Sequence, residues 1–303
     1  MQKYYVNTAR LNVRSTPNSI RNDNIAFILD KYRIVDVSGT VLPDWWEVQF
    51  MEGSILVSGF VAARYLLPLS EGPKRTQLVN AVHFPRDPSS NLNTKNNPHK
   101  PMDVPSIPLR DSSSIDSRIK SVHNLVDVLD VANSLRYQPT AKKTFCNIYA
   151  CDFCYFSGAY LPRVWWYDDS VIERLINQED VGVRYGVTVR EMNANALHDW
   201  LQKWGGDFGW IPMKSGVTDF QNLININGGF GVVCARRRDR KRSGHITVVL
   251  PETAEIRSRR VGGDLVSPLQ SQAGAQNLKY FSAENEPWWQ HSRYDSFGMF
   301  FHE

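Results

Sequence analysis

From residue 116 onward the sequence changes once, from helical periodicity to short apolar runs, and this order constrains the fold more than any other feature. Apolar residues recur at spacings of three and four in five segments, 116–135, 146–160, 170–177, 188–204 and 218–226. Strand-like runs bounded by glycine, proline or charged residues follow at 230–235, 244–250 and 265–272. Helices that precede antiparallel strands predict an α+β domain, which we place at residues 116–303.

The first 68 residues have a different pattern. Short β-rich runs are separated by turn residues at 11–14, 25–29, 34–37, 45–50 and 55–61, which is typical of a small barrel. Residues 69–115 are rich in Pro, Ser and Asn and have no sustained period. A connector of this length is either flexible or draped over a domain surface.

Composition argues against several classes of protein. The 303 residues carry a net charge of +4, too small an excess for a dedicated nucleic-acid binder. No run approaches the roughly 20 apolar residues that a membrane span needs. The N-terminus has no apolar signal-peptide region. We therefore expect no nucleic-acid partner and no membrane span, and the route of any export stays open.

Three of the four cysteines, Cys146, Cys151 and Cys154, fall within nine residues, and Cys234 lies apart. On one helix the three cannot all pair with one another, so they are not a disulfide framework. Their spacing also fits a metal site, but iron–sulfur cysteines with such spacing lie on a loop. We expect neither a metal nor a cofactor here.

Cys146 is the candidate nucleophile. The predicted helix begins near Thr144, which can cap it, and its apolar stripe runs through Cys146, Tyr149 and Phe153. A thiol in the first turn of a helix lies at the positive end of the helix dipole, which favours the thiolate. The alternative is an ordinary buried cysteine without chemistry.

His245 is the candidate partner of Cys146, because it is the only histidine that follows a glycine and opens an apolar β run. If the next strand pairs back, residue 250 lies near 265–267 and residue 245 near 270–272. Gln272 or Gln270 then lies beside the ring. We expect Gln272 to accept the Nδ1 proton, which leaves Nε2 facing the thiol. Glu252 ranks lower, since it lies roughly 20 Å along the strand from His245.

The N-terminal segment resembles the bacterial SH3-like family. The resemblance rests on Leu11-Asn12-Val13-Arg14-Ser15-Thr16-Pro17, on Trp45-Trp46 with Val48, and on the closing segment 59–66, which reads GFVAARYL. Such modules bind cell-wall peptides or brace a catalytic neighbour. The resemblance covers nearly all of residues 1–68.

Three later segments resemble the papain-like cell-wall hydrolases, which include NlpC-type peptidases and CHAP amidases. They are Thr144-Phe145-Cys146-Asn147, the segment 244–249, which reads GHITVV, and the segment 270–274, which reads QSQAG. The resemblance implies a papain-like domain in which Cys146, His245 and Gln272 are catalytic. It implies a cysteine peptidase or amidase that acts on peptidoglycan stem peptides at the bacterial cell wall. The oligomeric state is not fixed by the sequence, and we expect a monomer.

Four further residues are predicted at the substrate cleft: Tyr149, Trp165, Trp166 and Gln270. The alternative for the three aromatic residues is a place in the core. The basic run Arg236–Arg242 either attracts anionic wall polymers or stem-peptide carboxylates, or forms a solvated hairpin tip.

Two other functions stay open, a non-catalytic wall-binding or adaptor protein and a secreted effector of the same fold that acts on a protein amide.

Overall fold

The computed structural model describes residues 2–8, 10–20, 23–30, 32–52, 55–69, 79–95, 100–111, 113–177, 179–283 and 286–303. The chain forms two compact units. The first combines residues 1–80 with 166–184, and the second combines residues 81–165 with 185–303. The sequence-based boundaries at 68 and 115 therefore differ from this division, as does the placement of the helix predicted at 170–177.

The first unit contains a seven-stranded antiparallel sheet with the order β3-β2-β6-β5-β4-β1-β7. Its strands are β1 (Gln2–Val6), β2 (Arg10–Arg14), β3 (Ile25–Asp30), β4 (Ile34–Leu42), β5 (Trp45–Glu52), β6 (Ile55–Ala62) and β7 (Leu66–Pro68). All five strands predicted in this segment are present, and β1 and β7 were not predicted. Alternate residues form one core, which consists of Val6, Leu11, Val13, Leu29, Val35, Val48, Phe50, Val61 and Leu66.

Five α-helices follow in the residues that the structure describes. They are α1 (Ile115–Leu129), α2 (Cys146–Phe156), α3 (Asp169–Ile176), α4 (Ala194–Lys203) and α5 (Val217–Asn227), of which α3 belongs to the first unit. Side chains of Ser114, Asp168 and Asn193 cap α1, α3 and α4. Across the described part of the chain, no helix is both long and apolar enough to cross a membrane.

The second unit is built on a six-stranded sheet with the order β10-β17-β11-β12-β15-β16. Its strands are β10 (Ile211–Pro212), β11 (Phe230–Arg237), β12 (His245–Val249), β15 (Gln270–Gln272), β16 (Leu278–Phe281) and β17 (Tyr294–His302). Two small pairs complete the strands, β8 (Val164–Trp166) with β9 (Val189–Glu191) and β13 (Arg260–Val261) with β14 (Asp264–Leu265). The sequence-based analysis missed β16 and β17, although β17 pairs along the whole length of β11.

The two faces of this sheet pack against different helices. Phe220 and Ile224 of α5 join a core with Val233, Val249 and Trp289 on one face. On the other side, the ring of Phe153 in α2 lies 5.3 Å from that of Phe230 in β11. The Cys234 thiol donates to the Ala194 carbonyl at the start of α4. Helix α2 and helix α4 thus pack against the face of the sheet opposite to α5.

The described part of the predicted connector, from residue 81, packs onto the second unit. The Tyr160 hydroxyl pairs with the backbone of Val82, and the Ser134 hydroxyl donates to the Leu92 carbonyl at 2.7 Å. Met102 and Ile107 are buried. Of the two alternatives for this segment, the structure shows a draped one, because its backbone groups find partners on the domain surface.

Helix α2 is buried on nearly all sides, whereas the sequence predicts a single apolar stripe. Cys151 and Cys154 are buried as well as Cys146. Asp152 is the one acidic residue of this helix, and its carboxylate receives hydrogen bonds from the buried Arg136 guanidinium at 2.6 and 3.2 Å and from the Tyr137 hydroxyl at 3.1 Å. The buried helix therefore carries a charge only where an internal counter-charge meets it.

Asp152→Ala tests this anchoring. The change leaves Arg136 buried without its counter-charge, which is expected to lower the free energy of unfolding by about 3–5 kcal/mol. Urea denaturation of the variant and the wild type measures the difference. Lys279→Ala is the control, since its 2.8 Å ion pair with Asp127 is solvent-exposed and its loss should cost at most about 1 kcal/mol. Equal losses in the two variants would contradict the account.

Candidate active site

Cys146 is the first residue of α2, and its exposed fraction is 3%. The preceding residue, Phe145, occupies the capping position and makes no side-chain cap, so the expected capping by Thr144 is wrong. Helix starts leave the first N–H groups without partners inside the helix. The Cys146 sulfur therefore lies beside unsatisfied backbone donors at the positive end of the helix.

His245 opens β12, as the sequence predicts, and is half-buried. The glycine before it is required by the packing of the chain itself. A Cβ at Gly244 would overlap the Ala235 carbonyl oxygen and would lie 2.7 Å from the Asn195 Oδ1 atom. The glycine thus permits a close approach of β11 and α4 to the start of β12, which fixes the backbone that carries the histidine.

Gln272 in β15 binds the His245 ring, but at the nitrogen opposite to the one expected. Its Oε1 atom lies 2.7 Å from His245 Nε2. The Gln272 Nε2 group donates to the Gln276 carbonyl at 3.1 Å, so the amide oxygen faces the ring and the ring nitrogen Nε2 carries the proton. Nδ1 is then the nitrogen available to the Cys146 thiol. The expected assignment, with Nδ1 on Gln272, is corrected.

The strand register also differs from the one obtained by counting. Val248 pairs with Ser271 and Val249 with Gln270. Continued along the strands, this register places residue 245 opposite residue 274 and not opposite 270–272. Gln272 nevertheless reaches the ring, because it and His245 lie on the same face of the sheet and the long side chain spans the offset.

The thiol and the imidazole ionise each other. Burial opposes a thiolate, but the charge of His245, a hydrogen bond to its ring and the backbone N–H groups of Ile246 and Asn147 lower the pKa of Cys146 below its ordinary value. Burial likewise opposes the imidazolium, but the charge of Cys146 and hydrogen bonds to Cys146 and Gln272 raise the pKa of His245. The two opposite shifts favour a thiolate–imidazolium pair.

Trp288 covers the histidine and was missed by the sequence-based analysis. Its ring meets that of His245 edge to face at a centroid distance of 4.7 Å. Its indole N–H donates to Gln270 Oε1 at 3.0 Å, and the Thr247 hydroxyl donates to the same oxygen at 2.8 Å. The signal available in the sequence is the aromatic pair after Pro287, in a segment otherwise poor in apolar residues.

The four residues predicted at the substrate cleft lie inside the protein. Tyr149 pairs its hydroxyl with Ser271 at 2.6 Å, and Gln270 holds Trp288 from within the sheet. Trp165 packs 5.6 Å from Trp200, and the Trp166 indole donates to the Asn80 carbonyl. Their exposed fractions are 1%, 0%, 4% and 5% in that order. The predicted cleft role is corrected for all four. The three aromatic rings gain most from burial, and Gln270 is fully buried as a hydrogen-bond acceptor for Trp288 and Thr247.

Glu252, the charged competitor of Gln272, has a structural position. Its carboxylate receives two bonds of 2.8 Å from Arg260 and one of 2.7 Å from the Ser258 backbone N–H. Burial raises the pKa of Glu252, but these bonds and one from Asn225 lower it to about 2. The residue ties the loop after β12 together and does not approach His245 in the contacts described.

The chain matches no protein-family model, no curated protein and no solved structure.

Gln272→Ala tests the positioning of the ring. The bond from Gln272 raises the pKa of His245, so its loss should lower that pKa and reduce the thiolate fraction of Cys146. We expect alkylation of Cys146 by iodoacetamide at mildly acidic pH to slow about threefold to tenfold. Gln272→Glu keeps the acceptor and should restore the rate.

Gln276→Ala is the matched control, because Gln272 uses only the backbone carbonyl of that residue. The whole pH profile is measured for each variant. A pH profile for Gln272→Ala that overlays the wild-type profile would show that Gln272 does not influence the ionisation of Cys146 and His245.

Proposed function

We propose that the chain is a cysteine amidohydrolase with a papain-like catalytic domain and an N-terminal SH3-like domain, and that it cleaves an amide bond of peptidoglycan stem peptides. The observation that carries the proposal is the meeting of Cys146, His245 and Gln272. These residues come from α2, β12 and β15, and their arrangement favours ionisation of the thiol. One helix and two strands thus supply the thiol, the imidazole and the orienting amide that nucleophilic catalysis needs.

The substrate part of the proposal rests on the N-terminal unit. Its segments 11–17 and 59–66 resemble bacterial SH3-like domains, which bind cell-wall peptides. This is an argument by association, and the wall as the place of action follows from it. The seven-stranded antiparallel sheet of residues 2–68 is compatible with such a module.

In the first half of the reaction, the Cys146 thiolate attacks the amide carbonyl carbon and a C–S bond forms. The carbonyl oxygen becomes an oxyanion, and the backbone N–H of Cys146 at the helix start donates to it. The His245 imidazolium gives its Nδ1 proton to the leaving amine as the C–N bond breaks. The Nε2–H bond to Gln272 keeps Nδ1 directed toward the reacting atoms.

In the second half, neutral His245 accepts a proton at Nδ1 from a water molecule. The resulting hydroxide attacks the thioester carbonyl, the C–S bond breaks, and the product leaves as a carboxylic acid, which then gives its proton to bulk water. The thiolate and the imidazolium are then restored. No group beyond the three residues, one backbone N–H and water takes part in these steps.

Cys146→Ala tests the proposal on purified sacculi. Wild type should release soluble fragments with new amine and carboxylate ends, and the variant should release them at least about 1,000-fold more slowly. Cys154→Ala is the control, since this thiol lies on the same helix, is fully buried and has a pKa raised by burial. It should retain activity.

Mass spectrometry of the fragments identifies the bond that is cleaved, either between two stem-peptide residues or at the muramyl–alanine amide. Fragment release by Cys146→Ala at the wild-type rate would refute the nucleophile. Release by neither protein, with Cys146 still reactive toward iodoacetamide, would refute peptidoglycan as the substrate and favour a protein amide.

A further inference from the structure

Two arginines and one tyrosine form a cluster where β11 ends and β17 begins, in the sheet that carries His245. The residues are Arg237, Arg293 and Tyr294, which we call the arginine–tyrosine cluster. Arg237 is paired with Tyr294 across β11 and β17. The guanidinium carbons of Arg237 and Arg293 lie 5.8 and 5.9 Å from the centre of the Tyr294 ring. Two positive charges therefore flank one aromatic ring.

This cluster is continuous with the candidate active site. The Tyr294 ring lies 5.6 Å from that of Trp288, which in turn lies 4.7 Å from that of His245. The electrostatics agree with this proximity, since burial and the positive charge of Arg293 both act to lower the pKa of His245. Burial raises the pKa of Tyr294, so its hydroxyl stays protonated near neutral pH and can donate a hydrogen bond.

The two arginines of the cluster differ from Arg236 and Arg240, which form ion pairs. Arg236 pairs with Asp199 at 3.1 Å and with Asp295 at 3.0 Å, and Arg240 lies within 4.0 Å of the same two carboxylates. Neither Arg237 nor Arg293 has a carboxylate at ion-pair distance among the residues that the structure describes. The two charges of the cluster are thus not neutralised by a carboxylate of the described residues.

Residues 237–242, which begin with Arg237 of the cluster, are held by the side chain of Asn195 in α4. The exposed fraction of Asn195 is 8%. Its Oδ1 atom accepts from the Arg237 backbone N–H at 2.8 Å, and its Nδ2 group donates to the Arg242 carbonyl at 2.8 Å. The backbone N–H of Arg238 donates to the Arg293 carbonyl at 3.0 Å. A loop fixed at both ends loses little conformational entropy when it binds a ligand.

We propose that the arginine–tyrosine cluster binds a free carboxylate of the substrate next to the amide that Cys146 attacks, so that the enzyme selects anionic peptides. The planar guanidinium matches a carboxylate in geometry and charge. Arg237 is half-buried, which strengthens its attraction for a carboxylate relative to an exposed arginine. The inference rests on the proposed function, because it gives the substrate class of the same site.

The test compares two alkylating reagents at Cys146, iodoacetate and iodoacetamide. In both reactions the thiolate sulfur forms a C–S bond with the CH₂ carbon as the C–I bond breaks and iodide leaves. The reagents differ only in their carboxylate or carboxamide. Because both react with the same thiolate, the ratio of their rates at Cys146 cancels any change in its pKa and reports the attraction of a carboxylate.

The ratio of the iodoacetate rate to the iodoacetamide rate should fall about tenfold in Arg237→Gln/Arg293→Gln relative to wild type, and high salt should lower the wild-type ratio. The single variant Arg293→Gln, at an exposed position, should lose about threefold. The control Arg240→Gln/Arg242→Gln removes the same charge from exposed positions of the same run and should stay within about twofold of wild type.

Peptide mass spectrometry assigns each label to Cys146. An unchanged ratio in both Arg293 variants, with Cys146 labelled, would overturn the carboxylate site and leave the proposed hydrolase intact. An equal fall in the control pair would also overturn it, because the effect would then come from net charge. If wild-type Cys146 reacts with neither reagent, the nucleophile is wrong and both proposals fail.

Discussion

A buried thiolate and a half-buried imidazolium each cost free energy alone, and each offsets that cost for the other when they meet. Burial opposes the ionisation of both Cys146 and His245, yet their attraction lowers the pKa of the thiol and raises that of the ring. The pairing requires the sulfur and the ring to stay within contact of one another. The chemistry of this unit therefore depends on how firmly α2 and β12 hold their first residues.

Contacts on both faces of the sheet hold Cys146 and His245 in place. Asp152 ties α2 to the buried Arg136, and the Tyr149 hydroxyl joins the same helix to β15 through Ser271. On the other face of the sheet, Gln270 holds Trp288 against the His245 ring. Asp152, Tyr149, Ser271 and Gln270 are each buried and hydrogen-bonded, an arrangement that rigidifies a site more than apolar packing alone.

The sequence predicts the elements better than their connections. Residue type and order suffice to select Cys146, His245 and Gln272, since a helix-start thiol and a strand histidine are local patterns. The pairing register of β12 with β15, and with it the nitrogen of His245 that Gln272 binds, depends on residues 251–269. These residues contain the small β13–β14 pair, are anchored by Glu252, and lengthen the connection between β12 and β15. A register obtained by counting residues along a simple hairpin does not include this additional pair of strands.

Long-range burial accounts for the other differences. Tyr149, Trp165 and Trp166 were predicted at a cleft, but their surroundings come from distant segments such as Ser271, Trp200 and Asn80. Strand β17 lacks strict alternation, since Met299, Phe300 and Phe301 are buried in succession. Trp288, which lies close to His245 only through this last part of the fold, could not be assigned without it.

The ultraviolet absorbance of the Cys146 thiolate as a function of pH tests the central claim most directly, with Cys146→Ala as the blank. In wild type, the thiolate should persist well below the pH at which an ordinary thiol protonates, because the imidazolium stabilises it. In His245→Ala, burial acts without that compensation, and the thiolate should form only above the ordinary thiol pKa. Overlaying titrations of the two proteins would show that the thiol and the ring are not coupled, and would contradict the account.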